Sequence, residues 1–128
     1  MGFSVEIDLS RRLLNVSYSQ HVGPEEAARC VEEVRTCLAD LRPGFRLLTD
    51  FTKLGSMDTS CSISMEQIMD LCDQRGVAMV VRIVADPRKD IGFNIMSLFH
   101  YARGVPIVTF RTLDEAQCAL ADKVAPPR

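Results

Sequence analysis

The stretch LLTDFTKLGSMDTSCSISMEQIMDLCDQRG, from Leu47 to Gly76, decides how the rest of the chain is read. Phe45, Leu47 and Leu48 form an apolar run that predicts a buried strand ending near Asp50. A short polar loop follows, holding Asp50, Asp58, Thr59, Ser60 and Ser62. An amphipathic helix comes next, with apolar positions Ile63, Ile68, Met69, Leu71 and Cys72, and Gly76 after Arg75 closes it as a C-terminal cap. A strand that passes into a helix through clustered hydroxyls and carboxylates places those groups at the carboxyl edge of a sheet. Open α/β sheets carry their sites at that edge.

Toward the N-terminus, Phe3, Val5, Ile7 and Leu9 alternate with Ser4, Glu6, Asp8 and Ser10. After a turn at Ser10–Arg12 the alternation resumes at Leu14, Val16 and Tyr18, which predicts an antiparallel hairpin. Gly23-Pro24-Glu25-Glu26 opens a helix, because proline loses nothing in a first turn and the acids suit the positive end of the dipole. Ala27, Cys30, Val31, Val34, Cys37, Leu38 and Leu41 make one apolar stripe, and Arg42-Pro43-Gly44 ends it.

Toward the C-terminus, Val77 to Ala85 is apolar except at Arg82, the pattern of a central parallel strand covered on both faces. Asp86-Pro87 turns the chain into a third helix over Ile91–Ala102, carrying Ile95, Met96, Leu98 and Phe99, and Gly104 stops it. Val105–Phe110 reads as a last short strand whose Pro106 points to a sheet edge or a strand start. Thr112 and Glu115 form a capping box for a final helix through Leu120. The order β-β-α-β-α-β-α-β-α predicts one α/β domain over residues 1–124, built on a mixed, mostly parallel sheet, with residues 125–128 a disordered tail.

The 128 residues suffice for a core that needs no metal or disulfide. With 47% hydrophobic and 25% charged residues and a formal net charge of −2, bulk charge recruits neither nucleic acid nor an anionic membrane. Arg11-Arg12 and Arg88-Lys89 are short clusters and read as solvated turns. No signal sequence and no spanning apolar run is evident. Met1-Gly2 does not open a myristoylation motif, because Glu6 stands where Ser or Thr is required. Five cysteines without a C-x-x-C pair suit reduced thiols in a cytoplasm.

The chemistry-bearing residues are sparse. His21 and His100 lie far apart and form no ligand-spaced pair, so no metal is expected. There is no G-x-S-x-G elbow and no phosphate-binding glycine loop, so neither catalytic residues nor a cofactor are expected. Cys61, at a helix start, has no histidine placed by sequence to activate it. An enzyme using Cys61 or Ser60 would need His21 or His100 within hydrogen-bond reach. Asp50, Asp58, Thr59, Ser60 and Ser62 remain. Capping accounts for at least one of them, at about 1 kcal/mol per cap. A phosphate on such a serine also suits the free N–H groups there, and it brings close to two negative charges to a partner's approach.

The run Leu48-Thr49-Asp50-Phe51-Thr52-Lys53-Leu54-Gly55-Ser56-Met57-Asp58-Thr59-Ser60 resembles the hallmark of the STAS domain family (sulphate transporter and anti-sigma factor antagonist). There an Asp-Leu-Ser-like step ends a strand and a Met-Asp-Ser-Ser-Gly-like step opens the next helix. The likeness extends to the order of elements, the Val80–Val84 strand and the last strand and helix. In the antagonist branch the second hydroxyl after that aspartate accepts phosphate from a partner kinase, and the phosphorylated form releases its partner. The resemblance makes Ser60 the acceptor, with Asp58 before it, Thr59 at the first hydroxyl position and Asp50 at the strand end. Cys61 replaces the usual glycine, and Asp86–Phe93 looks more like an uncharacterised STAS-like branch.

The resulting expectation is a non-enzymatic, cytoplasmic, bacterial-type regulator that signals by protein–protein interaction and needs no cofactor. Its partner would be a regulatory kinase or an anti-sigma factor, met by Lys53, Met57, Cys61, Glu66, Gln67 and Asp70, with Ser62 in support. One alternative is a small-molecule or lipid binder using a pocket lined by Met57, Met65, Met69, Met96, Phe93 and Phe99. Another is a structural subunit that self-associates as a homodimer.

Overall fold

The alternation of the first residues folds as expected into a hairpin: β1 (Phe3–Asp8) runs antiparallel to β2 (Leu13–Val22), with Phe3 opposite Tyr18 and Asp8 opposite Leu13. The computed structural model describes residues 2–84 and 105–124. After the hairpin come α1 (Pro24–Leu38), β3 (Arg46–Met57), a 3₁₀ turn (Thr59–Cys61) and α2 (Ser62–Arg75). Then follow β4 (Met79–Ile83), β5 (Ile107–Phe110) and α3 (Leu113–Val124). The helix expected over Ile91–Ala102 and the tail at 125–128 lie outside the described residues.

The five strands form one sheet in the order β1-β2-β3-β4-β5. β2 pairs parallel to β3, β3 to β4 and β4 to β5. The sheet is therefore mixed and mostly parallel. Each parallel step from β2 to β4 is bridged by a helix, because a parallel return needs a crossover. One face of the sheet packs Val16, Tyr18, Leu47 and Val80 against Val31 and Val34 of α1 and Ile68 and Cys72 of α2. On the other face Leu48, Val81 and Ile83 meet Ala116 and Leu120 of α3. With cover on both sides, every residue of β4 is buried, Arg82 included.

Local signals fix the helix ends. The Glu26 carboxylate accepts the Gly23 amide at 3.2 Å and the Gly2 amide at 2.9 Å, tying the N-terminus to the start of α1. Gly76 ends α2 at φ +90, where a Cβ would lie 2.9 Å from Pro43 Cβ. Thr112 caps α3 as expected, the Glu115 amide donating to Thr112 Oγ1 at 3.2 Å, but the Glu115 carboxylate reaches back to the Arg111 amide at 3.2 Å rather than to the Thr112 amide.

Two expectations need correction. The strand does not stop near Asp50. β3 continues to Met57, and much of the predicted loop is strand. It is held by the second half of β2, with Ser19 opposite Lys53, Gln20 opposite Leu54, His21 opposite Ser56 and Val22 opposite Met57. Register shifts between Ser17 and Ser19 and between Gln20 and His21 let the pairing continue, and Gln20 adopts φ +58. Ile63, assigned to the apolar stripe of α2, is 65% exposed and Leu71 is half-buried; Ile68, Met69 and Cys72 are buried as expected, joined by Ser64 and Met65.

Candidate functional site

The end of β3 delivers the chain to Asp58, whose amide donates to the Val22 carbonyl of β2 at 3.1 Å. Asp58 then organises a tight turn. Its Oδ1 accepts the Ser60 amide at 2.9 Å and the Ser60 hydroxyl at 2.7 Å, while its carbonyl accepts the Cys61 amide at 2.9 Å. This is the local mimicry of a backbone turn for which aspartate is suited. α2 starts at Ser62, and Cys61 in front of it has helical dihedrals and makes no side-chain cap. The capping role therefore falls on Asp58, one 3₁₀ turn earlier.

Ser60 is exposed, with its Oγ hydrogen directed to Asp58. The two bonds from Ser60 hold the Asp58 carboxyl below its ordinary pKa, and the nearby His21 adds to that. His21 lies on β2, and its Nδ1 is 2.8 Å from Ser56 Oγ. That pair follows from strand register, which local sequence patterns do not encode. His21 thus bonds neither Ser60 nor Cys61, and His100 lies outside the described residues.

Cys61 is not part of any surface. It is fully buried, its thiol donates to the Val22 carbonyl at 3.5 Å, and burial together with Asp58 pushes its pKa up. A larger residue in place of glycine thus fills the space under the turn. A buried, uncharged thiol is a poor nucleophile.

Asp50 does not join the Ser60 group either. It sits within β3, where its Oδ1 accepts the Thr52 amide at 2.9 Å and the Thr52 hydroxyl at 2.7 Å. A strand rises about 3.3 Å per residue, and eight residues separate Asp50 from Asp58, so the two carboxylates do not share one site. Of the other candidates, Lys53, Ser62 and Gln67 are exposed, and Met57, Glu66 and Asp70 are half-buried. Thr59 lies in the 3₁₀ turn with Ser60. Exposed Ile63 shares the first turn of α2 with Ser62, an apolar surface residue that helical periodicity assigned to the core.

Met65 and Met69 are buried and line, with Tyr18, Phe51 and Arg82, a cavity of about 30 Å³. That is room for about one water molecule, not for a lipid or a metabolite. Phe93, Met96 and Phe99 lie outside the described residues. Among the described residues, no group of three or more His, Cys, Asp or Glu side chains is placed to hold a metal ion. No helix among them is long and apolar enough to cross a membrane.

Solved structures share this architecture. An uncharacterized protein of the DUF3478 family with a SpoIIAA-like fold, from Shewanella loihica PV-4, aligns with a TM-score of 0.69 at 16% identity, over 93% of this chain and 94% of its own. The anti-sigma factor antagonist SpoIIAA in its unphosphorylated form gives 0.66 at 14% identity, over 93% and 97%. An anti-sigma factor antagonist from Mycobacterium paratuberculosis gives 0.57 at 16% identity, over 94% and 95%. No protein-family model and no curated protein matches the sequence. The fold is thus the SpoIIAA-like, STAS-type fold that the hallmark around Asp58 implied.

Proposed function

We propose that the chain is a regulatory domain that acts by binding another protein, and that phosphorylation of Ser60 controls the binding. The observation that carries this reading is the exposed Ser60 hydroxyl at the head of α2, bonded to Asp58 at 2.7 Å, on the fold of anti-sigma factor antagonists. The proposed contact surface starts at Met57, Ser62 and Ile63 beside Ser60 in the chain and runs along α2 to Gln67, with Glu66 and Asp70 at its margin; Lys53 stands farther back on β3.

The switch is electrostatic. A phosphate ester on Ser60 has no proton to give Asp58, and two like charges on neighbouring oxygens repel. The phosphate then turns outward, onto the surface a partner must cover. Burying close to two extra negative charges against an apolar side chain such as Ile63 weakens docking strongly. The domain itself performs no catalysis; a kinase transfers the phosphoryl group to Ser60 Oγ and removes its proton.

The test is affinity capture from the native cell with wild type and Ser60→Asp side by side, joined to phosphopeptide analysis of the native protein. The reading requires a partner held by wild type and lost from Ser60→Asp at equal melting temperature, and phosphate on Ser60. Equal capture by both forms removes the switch.

A further inference from the structure

We infer that Arg11, Arg12 and Arg46 form a phosphate-binding site at the end of the sheet opposite Ser60. Arg46 is the first residue of β3, whereas the Ser60 turn follows its last. Arg11 and Arg12 belong to the turn between β1 and β2, which lies beside the start of β3: the Arg46 amide donates to the Arg12 carbonyl at 2.8 Å. Together they line a cleft of about 460 Å³, with Ser10, Gly44, Ala78, Met79 and Pro106 completing the lining. That volume lies within the range of small-molecule sites.

The chemistry of this cluster is unbalanced. Arg46 is only 9% exposed, yet its guanidinium donates to two neutral carbonyls, those of Leu120 at 2.9 Å and Arg11 at 2.8 Å. Arg11 donates to the Gln117 side-chain oxygen at 3.2 Å, and Arg12 to the Pro43 carbonyl at 2.6 Å. Among the described residues, none of the three is in an ion pair. Asp8, which feels the charge of Arg11, has its carboxylate bonded to the Ser10 hydroxyl at 2.8 Å and the Arg11 amide at 3.2 Å. Burial and the charges of Arg11 and Arg12 hold the Arg46 guanidinium below its ordinary pKa.

Three positive charges gathered around a cleft repel one another unless an anion joins them. A guanidinium carries about five N–H donors in a planar fork, so the four bonds above occupy a minority of those available. Such forks match phosphate oxygens in pairs, and Arg is the residue of choice for that recognition. The backbone also makes room for the cluster. Gly44 has φ +93, and a Cβ there would lie 2.8 Å from Arg12 Nη2. The glycine therefore clears the position where the Arg12 guanidinium sits. Exposed Pro106, together with the buried Met79 that pairs with Arg46 on the next strand, gives the cleft an apolar flank for the body of an organic phosphate.

Calorimetric titration of the whole chain at low ionic strength tests this, with phenyl phosphate, inorganic phosphate and sulfate as probes. Saturable one-to-one binding of a phosphate probe is expected, weakened tenfold or more in Arg12→Gln and in Arg11→Gln. Both variants should melt as wild type does, because Arg12 is exposed and Arg11 half-buried. Amide shifts on binding should centre on Gly44, Arg46 and Ala78 and leave Ser60 unmoved. Tighter binding of phenyl phosphate supports the site with an organic phosphate as its ligand. Equal binding of the two phosphates supports it with the free ion. No saturable binding at millimolar probe, undiminished binding in Arg12→Gln and Arg11→Gln, or sulfate bound as well as phosphate would each overturn the proposal.

Discussion

One carboxylate oxygen, Asp58 Oδ1, holds both the hydroxyl and the amide of Ser60, at 2.7 and 2.9 Å. The turn that presents Ser60 therefore depends on Asp58. Asp58→Ala should lower the melting temperature and broaden the Ser60 amide resonance. Asp58→Asn keeps an acceptor oxygen and should recover most of the loss. A turn that stays ordered in the alanine variant would show that the backbone alone holds it.

Acid should loosen the N-terminal corner. Gly23 and Gly2 amides, in that order, lower the Glu26 pKa from its ordinary 4.5. A carboxyl depressed on folding contributes stability above its unfolded pKa, and that contribution is lost as pH falls through the folded one. Thermal melts between pH 7 and pH 3 should show wild type losing stability below about pH 4.5. Glu26→Gln should start lower at neutral pH and fall less steeply.

Tyr18 stacks on Phe51 with ring centroids 5.4 Å apart and planes at 12°. Among the described residues, its buried hydroxyl meets sulfur: Met65 Sδ at 3.5 Å and Cys30 Sγ at 3.7 Å. Sulfur is a weak partner, so Tyr18→Phe should cost under about 1 kcal/mol in urea unfolding. Tyr18→Ala removes the ring and should cost about 3–5 kcal/mol. Similar losses in the two variants would mean that the hydroxyl matters more than its partners indicate.

The thiols should separate by burial. Desolvation pushes Cys72 up to about 12 and Cys30 up to about 11, and raises Cys61 and Cys37 as well. Cys118 is exposed. A disulfide reagent at pH 8 should modify one thiol rapidly in the native protein and all five in denaturant. Cys118→Ser should abolish the rapid phase.

Most of the fold is legible in the sequence because its signals are local. The alternation of β1 and the start of β2, the Pro24 helix start, the Gly76 stop and the Thr112 cap each act within a few residues. The far half of β3 is not legible in this way. Lys53, Gly55 and Ser56 interrupt its alternation, and its strand character comes from pairing with Ser19–Val22, more than thirty residues earlier in the chain. The same holds for the site. Asp58 and Ser60 are neighbours in sequence and in space, whereas the separation of Asp50 and the burial of Cys61 depend on how far β3 extends. Ile63 misleads because it is apolar on a helix that buries Ser64 beside it.

The Val22 carbonyl receives both the Asp58 amide and the Cys61 thiol, so the segment bearing Ser60 is riveted to the neighbouring strand on either side. Such an attachment leaves little slack for a lever or a relay. On the reading proposed above, a phosphate at Ser60 would therefore be felt first by the molecule that covers that spot, rather than by distant parts of the fold.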